Sequence, residues 1–134
     1  MKTVSKIHYE TTPLSVSHLI LPVKVNSQGP FQFILDTGAS VVCLSQTTAK
    51  TLKLKGGSTE QALSASGMFD VNLVKTKSLS IGRALRRNMI VAVMDMEDMS
   101  EKLGCKIDGI LGYDFLKSYQ LTIDYPKQVI TFKK

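Results

Sequence analysis

Short apolar runs recur along this chain, each bounded by Gly, Pro, Ser or Asn. Such runs predict strands, because a brief β-branched or aromatic stretch suits a pleated, half-buried surface. The first spans His18 to Val25, with Asn26-Ser27-Gln28-Gly29-Pro30 read as its turn. Phe31 to Leu35 comes next, and the two are expected to pair as a hairpin. Val41 to Leu44 is a third strand. Ser45 then supplies a capping hydroxyl for a helix to about Leu52, with Ala49 and Leu52 facing inward and Gly56-Gly57 ending it.

The second half continues in the same manner. Glu60 to Lys77 reads as two extended arms around a flexible centre, Ser64-Ala65-Ser66-Gly67. Ser78 to Ile81 and Asn88 to Val93 are further strands, with Gly82 near the turn between them. Asp95 to Leu103 is acidic and rich in Met, and its pattern fits a short helix or a loop equally. Ile107 to Leu111 predicts a buried strand interrupted by Gly109, and Asp114 to Ser118 a single helical turn. Tyr119 to Asp124 and Gln128 to Phe132 alternate apolar and polar positions around Tyr125-Pro126-Lys127, the pattern of a terminal hairpin. No linker, low-complexity tract or repeat divides the 134 residues. The expectation is one mainly β domain over 1–134, closed or nearly closed, with one or two short helices. Its core is placed at about 18–133 and an N-terminal arm at 1–17.

Composition narrows the partners. Apolar residues make up 43% of the chain, as in a soluble globule, and no apolar run nears the roughly 20 residues of a bilayer span. The formal charge is +6, but the seventeen Lys and Arg are scattered. With only 7% aromatics, none interleaved with the basic groups, the pattern argues against a nucleic-acid reader. Cys43 and Cys105 lack metal-site spacing and lie far from His8 and His18, so no metal and no cofactor is expected. Cys43 sits in Val41-Val42-Cys43-Leu44 and reads as a small buried hydrophobe. A disulfide between the two is left open. Met1 to Thr12 lacks the apolar core of a secretory signal. The sequence as it stands fits the cytoplasm, and a removed leader would make it periplasmic or exported, so the compartment is open.

Two segments carry candidate chemistry. In Phe31-Gln32-Phe33-Ile34-Leu35-Asp36-Thr37-Gly38-Ala39-Ser40, a carboxylate stands at the end of an apolar strand and small residues follow it. Desolvation opposes its ionisation, so it needs nearby donors, which the backbone of Gly38 and Ala39 and the hydroxyl of Thr37 can supply. A turn-capping Asp would look the same. In Ile107-Asp108-Gly109-Ile110-Leu111-Gly112-Tyr113-Asp114-Phe115-Leu116, glycines within and after a buried strand permit a crossing chain to approach closely.

Taken together, the two segments resemble the retropepsin-like aspartic proteases. The Asp-Thr-Gly motif is matched at Asp36, Thr37 and Gly38, and the apolar-apolar-Gly motif at Ile110, Leu111 and Gly112. The run Asp108 to Leu116 and the terminal Thr122-Ile123-Asp124-Tyr125-Pro126 are similar to the bacterial single-domain members. The similarity spans about Leu19 to Phe132 and implies a single-domain acid-protease closed β-barrel. Retroviral members carry an Arg after the second motif's Gly, tied to an acid in the first segment. Here those places hold Tyr113 and Ser40, so the dimer contacts differ, and the terminal hairpin Tyr119 to Lys134 is the substitute interface to consider.

The resemblance implies an aspartic endopeptidase acting on polypeptides. This chemistry needs two carboxyls sharing one proton, whose apparent pKa values belong to the pair. Only one Asp-Thr-Gly is present, so the family pattern implies a homodimer with Asp36 from each copy at the two-fold axis. Asp108 and Asp114 fall in the second motif, where the family uses packing. Asp70, Asp95, Glu97, Asp98, Glu101 and Asp124 have polar neighbours and read as surface charges. The family's flap maps onto Ala62 to Phe69, with Ser64, Ala65, Ser66 and Gly67 at its tip over the substrate. Ile34, Val41, Ile90 and Ile110 are the candidate pocket walls. The alternative is a catalytically silent module of the same fold that binds peptides or proteins without assembling two carboxylates.

Overall fold

Asn26 and Ser27 both take positive φ, 52° and 64°, and turn the chain back within two residues. Such a loop matches the right-handed twist of the strands on either side. The five-residue turn expected from the sequence is therefore too long, and Gln28, Gly29 and Pro30 belong to the second strand of the hairpin. The computed structural model describes residues 2–6, 8–11, 17–64 and 67–134.

In chain order the elements are β1 (Lys2–Lys6), β2 (His8–Thr11), β3 (Ser17–Val25), β4 (Gln28–Leu35), β5 (Cys43–Ser45) and helix α1 (Gln46–Thr51). Then come β6 (Gly56–Ser64), β7 (Gly67–Ile81), β8 (Ala84–Met94), α2 (Glu97–Leu103), β9 (Gly109–Leu111), α3 (Tyr113–Leu116), β10 (Gln120–Asp124) and β11 (Val129–Lys133). The helices number three among the described residues rather than one or two. The ambiguous stretch after Asp95 is helical, ended by Gly104 in the left-handed region at φ 72°. Gly56 opens β6 instead of merely ending a helix, and β7 runs unbroken through the two separate stretches expected there.

One sheet has the order β2-β3-β4-β9-β5-β8-β7-β6, and a further pairing of β3 with β7 partly closes it. A smaller sheet, β1-β11-β10, joins the first strand to the terminal hairpin. Period-two alternation sends neighbours to opposite faces. Thus Leu21, Val23 and Phe33 enter one buried cluster, while Ile20 and Ile34 enter a second with Cys43, Ile107 and Leu103. Both faces of β3 and β4 are covered, which accounts for their near-continuous apolar runs. Phe115 and Tyr119 stack, both meet Phe132 edge-on, and the Tyr119 hydroxyl donates to the carbonyl of Leu85 at 3.1 Å. These contacts fix α3 and the terminal hairpin against β8.

Candidate functional site

Strand β4 runs parallel to β9, with Ile34 beside Ile110 and Leu35 beside Leu111. Asp36 follows immediately, and its N–H donates to the carbonyl of Leu111 at 3.1 Å. The Ala39 N–H closes a turn onto the Asp36 carbonyl at 3.2 Å, and the Gly38 N–H donates to Asp36 Oδ1 at 2.9 Å. The carboxylate is thus held by its own loop, whose far end is anchored by the Tyr113 N–H donating to Ala39 O at 2.8 Å. Asp36, Thr37 and Gly38 are all exposed. The Thr37 hydroxyl makes no hydrogen bond among the described residues.

Two glycines make this crossing possible. A β-carbon on Gly112 would stand 2.4 Å from Val41 O and 3.0 Å from Ala39 O. One on Gly109 would stand 2.5 Å from the Phe33 ring and 2.7 Å from Cys43 O. The structure thus brings the Asp36-Thr37-Gly38 loop and Ile110-Leu111-Gly112 together directly, as the two segments required.

The neighbouring acids are engaged in structure. Asp114 Oδ1 accepts the Val42 N–H at 3.0 Å. Burial pushes its carboxyl above the ordinary carboxylate value, opposed by hydrogen bonds from the backbone of Val42 and of α3. Asp108 is 4% exposed; its carboxylate accepts the Gln32 N–H at 2.8 Å and the Thr48 hydroxyl at 3.2 Å, with Lys106 Nζ at 3.7 Å. Ser45 caps α1 by accepting the Thr48 N–H at 3.0 Å, as the sequence predicts. Asp108 therefore ties the strand bearing Asp36 to this helix and to the approach of β9. Nothing in sequence spacing revealed that link, because its members lie 60 and 76 positions apart. Cys43 and Cys105 are not joined in a disulfide, and burial, reinforced by the Asp114 and Asp36 carboxylates, pushes the Cys43 thiol up to about 11.

A cavity of about 580 Å³ opens at Asp36. Ile34, Leu35, Met99, Leu103 and Ile110 supply its apolar walls, and His18 and Lys102 join Asp36 as its polar groups. Of the four wall residues expected, Ile34 and Ile110 are in place. Val41 and Ile90 are not part of this lining and stand 42% and 58% exposed, Val41 in the bend before β5 and Ile90 on the outward face of β8. The contributions of α2 went unread, since that stretch had no settled conformation in the sequence. A separate groove of about 240 Å³, which begins at the residue after Asp36, is lined by Thr37, Tyr113, Leu116, Lys117, Tyr119 and Leu121. Tyr113 is 59% exposed there.

The flap expectation meets a hairpin of β6 and β7 with Ser64 opposite Gly67. Ala65 and Ser66 lie outside the described residues. The terminal hairpin exists, and the far side of β11 is occupied by β1 of the same chain, Lys2 opposite Lys133 and Lys6 opposite Val129. Among the described residues no helix is long and apolar enough to cross a membrane.

A family model for aspartyl proteases matches residues 21–115, which includes both motifs. The chain belongs to the aspartyl protease family. Its fold is similar to the crystal structure of a retropepsin-like aspartic protease from Rickettsia conorii, with 22% sequence identity, a TM-score of 0.63 and 98% of each chain covered. No functionally curated protein matches the sequence significantly. The fold is thus of the retropepsin-like class.

Proposed function

We propose that the protein is an aspartic endopeptidase whose working form is a homodimer, with Asp36 supplied once by each copy. The observation that carries this reading is the exposed Asp36 carboxylate, held at 2.9 Å by Gly38 N–H and facing an apolar-walled cavity. The nearby Asp108 and Asp114 carboxylates are committed to backbone and hydroxyl donors, so neither is available as its partner. A second copy is the remaining source of a second acid.

In the dimer the two carboxyls share one proton, since like charges about 3 Å apart do not both ionise. The ionised one takes a proton from a bound water as the water oxygen attacks the scissile carbonyl carbon. The protonated one gives its proton to the carbonyl oxygen, forming a neutral gem-diol. Collapse of the gem-diol breaks the C–N bond, with proton transfer to the leaving amine, and releases acid and amine products. Gly38 orients the carboxylate, and the exposed Thr37 hydroxyl, without a hydrogen bond among the described residues, is there for a bond across the axis. The β6–β7 hairpin is the candidate cover that excludes water. The groove of Thr37, Tyr113 and Leu121 starts at the residue after Asp36 and is the surface we assign to the second copy.

The test is cleavage of an unfolded protein at mildly acid pH, with sedimentation of the same sample. Cleavage that survives in Asp36→Asn overturns the assignment. The exchange of an ion pair for Ser40 and Tyr113 favours a second reading, a binding module that stays monomeric. A stable monomer at micromolar concentration, inactive at every pH, would select it.

A further inference from the structure

Helix α2 sorts its charges. Met99, Lys102 and Leu103 have the i, i+3, i+4 spacing of one helix face and line the cavity at Asp36. Glu97 instead lines a separate polar cleft with Asp95 and Lys106, and Asp98 and Glu101 are exposed outside both. Lys102 is thus the one charge this acidic helix directs to the apolar cavity. It forms no ion pair among the described residues. His18, on β3, adds a second group able to carry positive charge to the same lining.

At about 580 Å³ the cavity has the size of a ligand site rather than of one side chain. A substrate lying extended presents alternate side chains to the same side, about 6.5–7 Å apart. Two side chains, two residues apart, therefore enter the cavity together. One rests on Ile34, Leu103 and Ile110. The other meets an ammonium group that has no ion-pair partner among the described residues, and an anionic end complements it best.

We infer that Lys102, assisted by His18, is a specificity-determining residue, and that the preferred substrates carry an acidic side chain two residues from an apolar one beside the scissile bond. This rests on the peptidase reading above for the word substrate, but the pocket's preference is a binding property in its own right. Lys102 is exposed, so its replacement leaves the core intact.

The experiment uses peptides identical except for Glu, Gln or Lys two places from an apolar residue at the cleavage point, on either side. For the full chain, kcat/KM is expected to favour Glu over Lys by about tenfold or more. Lys102→Gln flattens the series and Lys102→Glu inverts it. Equal kcat/KM across the series, or an order unchanged in Lys102→Glu, overturns the inference while leaving the peptidase intact. If no peptide is cut, the affinities of the labelled peptides are read by fluorescence anisotropy. Glu over Lys, inverted in Lys102→Glu, then sustains the pocket although the peptidase reading has failed. Equal affinities overturn both.

Discussion

Gly112 lies so close to Val41 that a single methyl group between them would stand 2.4 Å from the Val41 carbonyl oxygen. Both neighbours are backbone, held by the Val42–Asp114 and Tyr113–Ala39 hydrogen bonds, so neither can step aside cheaply. Gly112→Ala is expected to lower stability by about 1–3 kcal/mol or more. Gly56, whose added β-carbon meets nothing within 4 Å, is the control. Gly56→Ala is expected to stay within about 0.5 kcal/mol of the parent in the same urea titration.

Asp36 is exposed, and among the described residues its carboxylate is hydrogen-bonded only within its own loop. Asp36→Asn is expected to abolish cleavage, by at least about a thousandfold, while the folded chain keeps its stability within about 0.5 kcal/mol. Activity assays paired with thermal unfolding separate these two effects. A variant that is inactive because it is unfolded would not support the assignment.

Removing the Asp108 side chain leaves the part-buried Gln32 N–H and the buried Thr48 hydroxyl without their carboxylate acceptor. Asp108→Ala is expected to cost about 2–4 kcal/mol, and Asp108→Asn, which keeps one acceptor, less. Denaturant midpoints check this order. The reverse order would mean that the carboxylate is not the tie between β4 and α1.

The Cys43 thiol, pushed from 9.0 to about 11, gives a pH dependence on the alkaline side. In the unfolded chain it ionises first, so the folded state holds the proton longer. The resulting stabilisation is complete below pH 9.0 and is lost as pH rises through about 11. The loss amounts to about 2–3 kcal/mol at full ionisation. Cys43→Val, similar in size and without a proton to lose, is expected to show a shallower alkaline decline in urea stability. Native Cys43 should also resist alkylation at neutral pH.

If the Thr37–Tyr113 groove receives the second copy, charge placed there will oppose assembly. Tyr113→Glu is expected to raise the dimer dissociation constant by about tenfold or more, with activity partly regained at high protein concentration. Sedimentation equilibrium reads the first and dilution series the second. Unchanged assembly places the contact elsewhere, for example on the terminal hairpin.

The sequence made some of this legible and hid the rest for physical reasons. The Asp36 loop, the Ser45 cap and the terminal hairpin rest on local rules, in which residues within a few positions decide the backbone. The first turn was misjudged because Asn26 and Ser27 alone complete it, and the turn formers after them are absorbed into β4. Val41 and Ile90 do not join the pocket walls, because hydrophobicity reveals neither which side of β8 faces the cleft nor how the bend at Val41 is turned. The Lys102 contribution and the particular tie made by Asp108, whose packing role the motif already implies, are not legible because both depend on what distant segments bring beside them.

Strand β9 sits between β4 and β5, so the ladder that supports Asp36 joins residues as much as 76 positions apart. A nascent chain that has emerged only as far as Lys106 already contains the whole acidic loop, yet lacks β9 and the Leu111 and Tyr113 bonds that brace it. Closing so large a loop is entropically demanding, which makes this joint a late event in folding. Synthesis thereby delays assembly of the Asp36 loop's support until most of the polypeptide has been made.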